Sequence, residues 1–278
     1  MFQYAFSRHL AEIHRTQIKM DISAYDYDGP IKYALGPFNI QESFASDTEI
    51  KKLTEIKHNA LTKLLYGILH SHDKKPDTFI RYNKANFNPA MLKLPDGVYL
   101  EGHWQSEKYF VGIEQIIRNE FAFKETQAGK NKKIAEHILS SESVSIHIRR
   151  GDYIDSPIVG NSQYACGLDY YHSCINDVLQ KTANPVFFVF SDDIQWCRRS
   201  LKLSQPTVYV DHNGFDKGHE DMRLMSQCNH NIIANSTFSW WAGWLNANEG
   251  KLVYAPKEWF AGKKHCSDDL IPARWIKK

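Results

Sequence analysis

The apolar positions of this chain fall into short runs of two different periods. Phe2, Ala5, Phe6, Leu10 and Ile13 recur at helical spacing over residues 2–14. Residues 17–25 read as a strand. Residues 48–70 read as a long amphipathic helix with Leu53, Ile56, Ala60, Leu64 and Leu65 on one face. A short strand at 98–100 precedes a helix over 106–119, and the polar stretch at 126–133 is the best linker. Beyond it the alternation sharpens. Strands at 144–148, 185–190, 207–210, 231–234 and, last, 251–254 are separated by helices at 168–181, near Gln195, at 217–228 and at 238–248. The run from Pro185 to Phe190 is apolar throughout, as in a strand buried on both faces. Strand and helix taken in turn predict a parallel sheet with crossover helices, hence an α/β fold. The C-terminal half reads as a Rossmann-type nucleotide domain; the N-terminal half shows the alternation less clearly.

Composition narrows the class. A length of 278 residues suits one large domain or two ordinary ones. With 42% hydrophobic and 24% charged residues the chain reads as a soluble globular protein, and a formal charge of +2 gives no argument for a nucleic-acid partner. The five cysteines form no C-x-x-C pair, so neither a zinc site nor a disulfide framework is expected, and a reducing compartment is. No apolar stretch reaches membrane-spanning length and the N-terminus lacks a signal peptide's apolar core. The expected location is the cytoplasm, with peripheral contact at the inner face of the membrane left open.

Three strand ends carry the candidate chemistry. The first is the run from Val144 to Tyr153, VSIHIRRGDY. A period of two puts Val144, Ile146 and Ile148 on one face and Ser145, His147 and Arg149 on the other. Gly151 ends the strand, so an imidazole and a guanidinium arrive together at its carboxyl end, where open α/β sheets bind ligands. Arginine grips phosphate through two parallel hydrogen bonds, so a phosphate or diphosphate site is the first reading. Adjacent arginines are more often plain surface charges, and Arg150-Gly151-Asp152 also spells the integrin tripeptide, which would need an exposed loop tip. The second strand end, Ser191-Asp192-Asp193, offers one aspartate to a nucleoside and the other as a helix cap. The third, Asn235-Ser236-Thr237-Phe238, opens a helix whose free N–H groups and hydroxyls favour an anion. Trp240 and Trp244, four apart on that helix, are expected to pack. Three such ends on one sheet would line a single crevice for a nucleoside diphosphate. Asp26-Tyr27-Asp28 has a metal-binding spacing but sits before Gly29-Pro30, so solvated turn carboxylates are the better reading, and no histidine pair has ligand spacing. Without a metal, Arg149 and the helix N-terminus must supply the positive charge that steadies a diphosphate leaving group.

At these residues the chain resembles the α-1,2-fucosyltransferases of glycosyltransferase family 11. The resemblance rests on H-x-R-R-G-D-Y at 147–153, Ser191-Asp192-Asp193, NSTFSWWAGWL at 235–245 and Phe2-Gln3-Tyr4-Ala5. It implies a GT-B-like architecture, two Rossmann-type domains with parallel sheets facing a central cleft, divided here as 1–132 for the acceptor and 133–278 for the donor. It implies an inverting, metal-independent transfer of L-fucose from GDP-fucose, a co-substrate rather than a cofactor, to the 2-hydroxyl of a terminal galactose in a cell-surface glycan such as lipopolysaccharide. By the same resemblance Arg149 holds the β-phosphate, His147 the diphosphate or ribose, Asp192 the nucleoside, and Ser236, Thr237 and Phe238 the donor's far side. Arg150 is expected to be structural, paired with Asp152. Asp152 is one candidate for the general base and a carboxylate of the N-terminal domain is another. The family begins with a strand and a glycine-rich G-x-G-N-Q turn where this sequence reads Met1-Phe2-Gln3, so an N-terminal sheet without its first strand is expected. The alternatives are a transferase for another nucleotide sugar and a non-catalytic GDP-sugar or glycan-binding protein.

Overall fold

The computed structural model describes residues 1–25, 32–56, 75–151, 165–260 and 268–278. Asp26 to Asp28, the part of the expected long helix beyond residue 56, Asp152 and Cys266 lie outside the described residues. The chain divides into two units, Met1–Glu120 and Phe121–Lys278.

In the first unit, α1 (Phe2–His14) buries Phe2, Tyr4, Ala5, Phe6 and Leu10. Phe6 stacks on Trp104 at 4.9 Å and meets Tyr109 edge-on at 5.1 Å. The Glu120 carboxylate, buried, accepts from Tyr4 Oη at 2.8 Å and Arg8 Nε at 2.9 Å. Helix α2 (Asp47–Thr54) starts at a capping box between Ser46 and Glu49 and stops at Glu55, whose backbone is extended. The single helix expected over 48–70 is therefore broken there. Residues 17–25 do not form a strand either. Only Met20 bridges to Phe44, and the Asp21 carboxylate accepts the Ser23 N–H, tipping the chain into a 3-10 turn at Ser23–Tyr25. Strands β1 (Phe79–Tyr82) and β2 (Tyr99–Gly102) pair in parallel. The helix expected over 106–119 resolves into 3-10 turns at Glu107–Tyr109 and Val111–Ile113, then α3 (Glu114–Glu120).

The second unit is the one the periodicity anticipated. Its order is α4 (Gly129–Leu139), β3 (Glu142–Ile148), α5 (Leu168–Lys181), β4 (Pro185–Ser191), α6 (Ile194–Ser200), β5 (Thr207–Val210), α7 (Gly218–Gln227), β6 (His230–Ile232), α8 (Thr237–Leu245), β7 (Val253–Ala255) and β8 (Ile276–Lys277). The polar stretch at 126–133 runs into α4 inside this unit instead of marking its edge. Among the described residues its six strands are all parallel, in the order β5-β4-β3-β6-β7-β8. The chain builds outward from β3 through β4 to β5, then returns to the far side of β3 with β6. That is the order of a Rossmann sheet, and its topological switch lies between β3 and β6.

Both faces of β3 are buried. Val144, Ile146 and Ile148 join Phe187, Val189 and Ile232 against Tyr171, Cys174, Ile175 and Val178 of α5. The opposite face carries Ser143, Ser145 and His147, also buried. A polar stripe in a closed interior must find partners. Ser143 Oγ donates to Asn229 Oδ1 at 2.9 Å, and Asn231 Nδ2 donates to Ser145 Oγ at 2.7 Å and to the Met225 carbonyl at 2.7 Å. Asn246 completes the set, donating to Asn231 Oδ1 at 2.8 Å and to the Cys228 carbonyl at 2.7 Å. These bonds tie β3 and β6 to α7 and α8. Cys166, Cys174, Cys197 and Cys228 are buried and in no disulfide. Among the described residues no helix is long and apolar enough to cross a membrane.

Helix α8 is held by its tryptophans. Trp240, Trp241 and Trp244 are all buried. Trp240 and Trp244 lie parallel with centroids 6.4 Å apart, and Trp241 meets Trp244 edge-on at 5.4 Å. Trp240 Nε1 donates to the Leu270 carbonyl at 2.8 Å. Because the Trp244 ring is enclosed, Trp244→Ala should destabilise the protein by about 3–5 kcal/mol. Denaturant unfolding checks this; a midpoint shift equivalent to less than about 1 kcal/mol would show that the ring is not core.

Candidate active site

The carboxyl ends of β3, β4 and β6 are neighbours in the sheet, with β3 in the middle. The turn after each carries one of the three sequence elements. His147 and the Ser236–Phe238 segment flank the switch between β3 and β6. The His147 imidazole lies 5.4 Å, centroid to centroid, from the Phe238 ring. Arg149 and Asp192 meet across β3 and β4, with Nη1 3.1 Å from Oδ2. The structure thus brings His147 together with Phe238, and Arg149 together with Asp192.

His147 is 5% exposed, and its Nδ1 has no hydrogen-bond partner among the described residues. Burial, with a smaller contribution from the Arg149 charge, lowers its pKa to about 3. The imidazole is therefore neutral at physiological pH, with one donor and one acceptor nitrogen. Tyr171 Oη donates to the His147 carbonyl at 3.2 Å and fixes the strand end.

Ser236 is the N-cap of α8, and its hydroxyl makes no capping bond. The first-turn N–H groups of a helix have no acceptor within it. The turn leading there is locked by Asn235, whose Nδ2 donates to the Trp259 carbonyl at 3.1 Å and whose Oδ1 accepts from Cys166 Sγ at 3.4 Å. Ser236 is buried, Thr237 and Phe238 half-buried.

The two aspartates divide their work. Asp193 caps α6, its Oδ1 accepting from Trp196 N at 3.0 Å. Asp192 faces back onto the β3 turn, accepting from Arg150 N at 2.9 Å and Gly151 N at 3.1 Å. Arg150 reaches towards α6. Its Nε lies 3.5 Å from Asp193 Oδ2 and its guanidinium sits 3.7 Å from the Trp196 ring centroid. Asp152, anticipated as its partner and as a base, lies outside the described residues.

Two features at this edge take their meaning only from the structure. Asp221, on α7, accepts from Asn213 Nδ2 at 2.8 Å, and burial pushes its carboxyl up to about 6. Asn131 and His212 continue that cluster, with His212 Nε2 2.6 Å from Asn131 Oδ1. Gly151 is the other. A Cβ there would stand 3.0 Å from Asp192 Oδ2, so glycine is what admits the carboxylate. Only the H-x-R-R-G spelling hints at the second, and nothing in one sequence hints at the first.

Comparison with known proteins gives the family. The model of glycosyl transferase family 11 matches residues 32–277. An O-antigen biosynthesis glycosyltransferase, WbnK, of Escherichia coli is 30% identical over 99% of this chain and 95% of its own length. An α-1,2-colitosyltransferase of Escherichia coli is 30% identical over 100% of this chain and 94% of its own length. Galactoside 2-α-L-fucosyltransferase Sec1 of Mus musculus is 35% identical over 67% of this chain and 52% of its own. With strand-end motifs on a Rossmann-ordered sheet, and with relatives aligned from end to end, the chain belongs to glycosyl transferase family 11 and is a glycosyltransferase.

Proposed function

We propose that the protein transfers L-fucose from GDP-fucose to the 2-hydroxyl of a terminal galactose during assembly of an O-antigen-type polysaccharide. The observation that carries the reading is the convergence of His147, Arg149 and the N-terminus of α8 at the switch of a Rossmann-ordered sheet. A cationic side chain and a helix N-terminus on one edge suit a diphosphate. The names of the relatives supply the sugar and the linkage.

In this mechanism Arg149 grips the β-phosphate and stabilises the charge that builds on departing GDP. His147, being neutral, donates or accepts one hydrogen bond to the nucleotide without adding charge. Ser236, Thr237 and Phe238 contact the donor from the α8 side, through hydroxyls, N–H groups and an aromatic face. The galactose hydroxyl attacks the anomeric carbon opposite GDP, so that bond forms as the bond to phosphate oxygen breaks and the configuration inverts. The hydroxyl proton goes to a carboxylate base, for which Asp152 and a carboxylate of the N-terminal domain are the candidates. No metal takes part. The acceptor brings the enzyme to the cytoplasmic membrane face as a peripheral protein. A second reading, transfer of colitose, is favoured by the full-length similarity to the α-1,2-colitosyltransferase.

Calorimetric titration in EDTA separates the donors. GDP-fucose should bind, and GDP-mannose and UDP-galactose should not. Tighter binding of GDP-colitose would move the assignment to the second reading, and a strict metal requirement would overturn the metal-free mechanism. Arg149→Ala should remain folded and lose turnover by roughly 10²–10³-fold; activity near that of the parent would remove Arg149 from its role.

The pH behaviour follows from His147. Its folded pKa is depressed to about 3, so the unfolded chain takes up the proton first as pH falls. The stability carried by neutral, buried His147 is present above the unfolded value of about 6.5 and declines as pH drops towards about 3. In histidine NMR spectra the His147 ring should stay neutral from pH 8 to about 5. A titration midpoint in the mid-sixes would contradict the closed environment.

A further inference from the structure

We propose that Asp192 is a positioning residue that holds the β3 turn and aims Arg149 at the diphosphate, and that it does not contact the nucleoside. This rests on the donor-binding reading above. Its carboxylate gathers three donors from one turn: Arg150 N on Oδ1 at 2.9 Å, Gly151 N on Oδ2 at 3.1 Å, and Arg149 Nη1 on Oδ2 at 3.1 Å. Two successive backbone N–H groups and a guanidinium on one carboxylate form a clamp across the β3 and β4 ends. The approach depends on Gly151, whose added Cβ would meet Oδ2 at 3.0 Å.

The neighbouring side chains remove the alternatives for that turn. Arg150 is drawn to the opposite side by Asp193 and Trp196. Arg149 is left on the side of His147, with one edge on Asp192 and a side chain 30% exposed. A guanidinium is a rigid planar fork of N–H donors, so a carboxylate holding Nη1 fixes the direction of the whole group. Holding the cation in place before the donor arrives spares the ordering entropy that a free arginine would lose on binding. An anion on Asp192 would also repel a phosphate placed directly against it, so the carboxylate suits a place behind Arg149.

The test compares ligands that contain or lack the second phosphate. Asp192→Asn keeps the shape of the side chain but removes its charge and replaces one accepting oxygen by an amide NH2, which cannot accept. The parent's binding of GDP is the control, since failure there would overturn the donor reading itself. In Asp192→Asn, affinity for GDP and turnover should fall about ten- to a hundredfold, as for a lost charge-assisted contact, while affinity for guanosine stays within about twofold. In the Arg149→Ala background, Asp192→Asn should change GDP affinity no further, because the clamp acts on GDP through Arg149. Equal loss of guanosine and GDP affinity would make Asp192 a nucleoside contact. Full additivity with Arg149→Ala, or unchanged GDP affinity, would equally overturn the proposal. Should Asp192→Asn fail to fold, Gly151→Ala presses on the same carboxylate and is read the same way.

Discussion

The C-terminal unit depends on one constraint: its central strand carries a polar stripe that is buried. Ser143, Ser145 and His147 face the interior under α7 and α8, and unmet polar groups there would cost about 1–3 kcal/mol each. Asn229 and Asn231 meet the two serines and Asn246 meets Asn231, which ties the switch between β3 and β6 to the helices that cover it. The stripe ends in His147, whose Nδ1 has no partner among the described residues. The satisfied part lies within the sheet, and the unsatisfied end lies at the carboxyl end of β3, beside the switch.

The same economy of geometry separates two adjacent arginines. Arg149 and Arg150 follow one another at the end of a strand, so their side chains leave in different directions. Arg150 is stacked on Trp196 and paired with Asp193, and Arg149 rests on Asp192. Two adjacent aspartates thus keep two adjacent cations apart. One cation braces the α6 side of the turn and the other remains at the edge where His147 and Phe238 meet.

The periodicity of the C-terminal half was legible because each strand there is a compact run with a helix on either side. Helix 168–181 and strand 207–210 coincide with the observed α5 and β5. Strands β1 and β8 were not read from the sequence; the two residues of β8 give too short a pattern to separate from loop. The misread segments failed for local reasons: an Asp21 side chain that turns the backbone, an extended Glu55 that ends α2, and single 3-10 turns about Gly112. Alternation along β3 was read correctly as two faces. That its polar face is as closed as its apolar one could not be read, because burial depends on α7 and α8, contributed more than seventy residues later.

By itself the sequence determined the α/β class, the chemistry present at each strand end and, through its motifs, the family. Those properties reside in spacing and side-chain type, which are local. Tertiary structure alone decided the strand order that makes the three ends adjacent, the neutral state of His147, and the direction in which Asp192 faces. Each of these is set by which distant segment packs against which, and hydrophobic period carries no record of that.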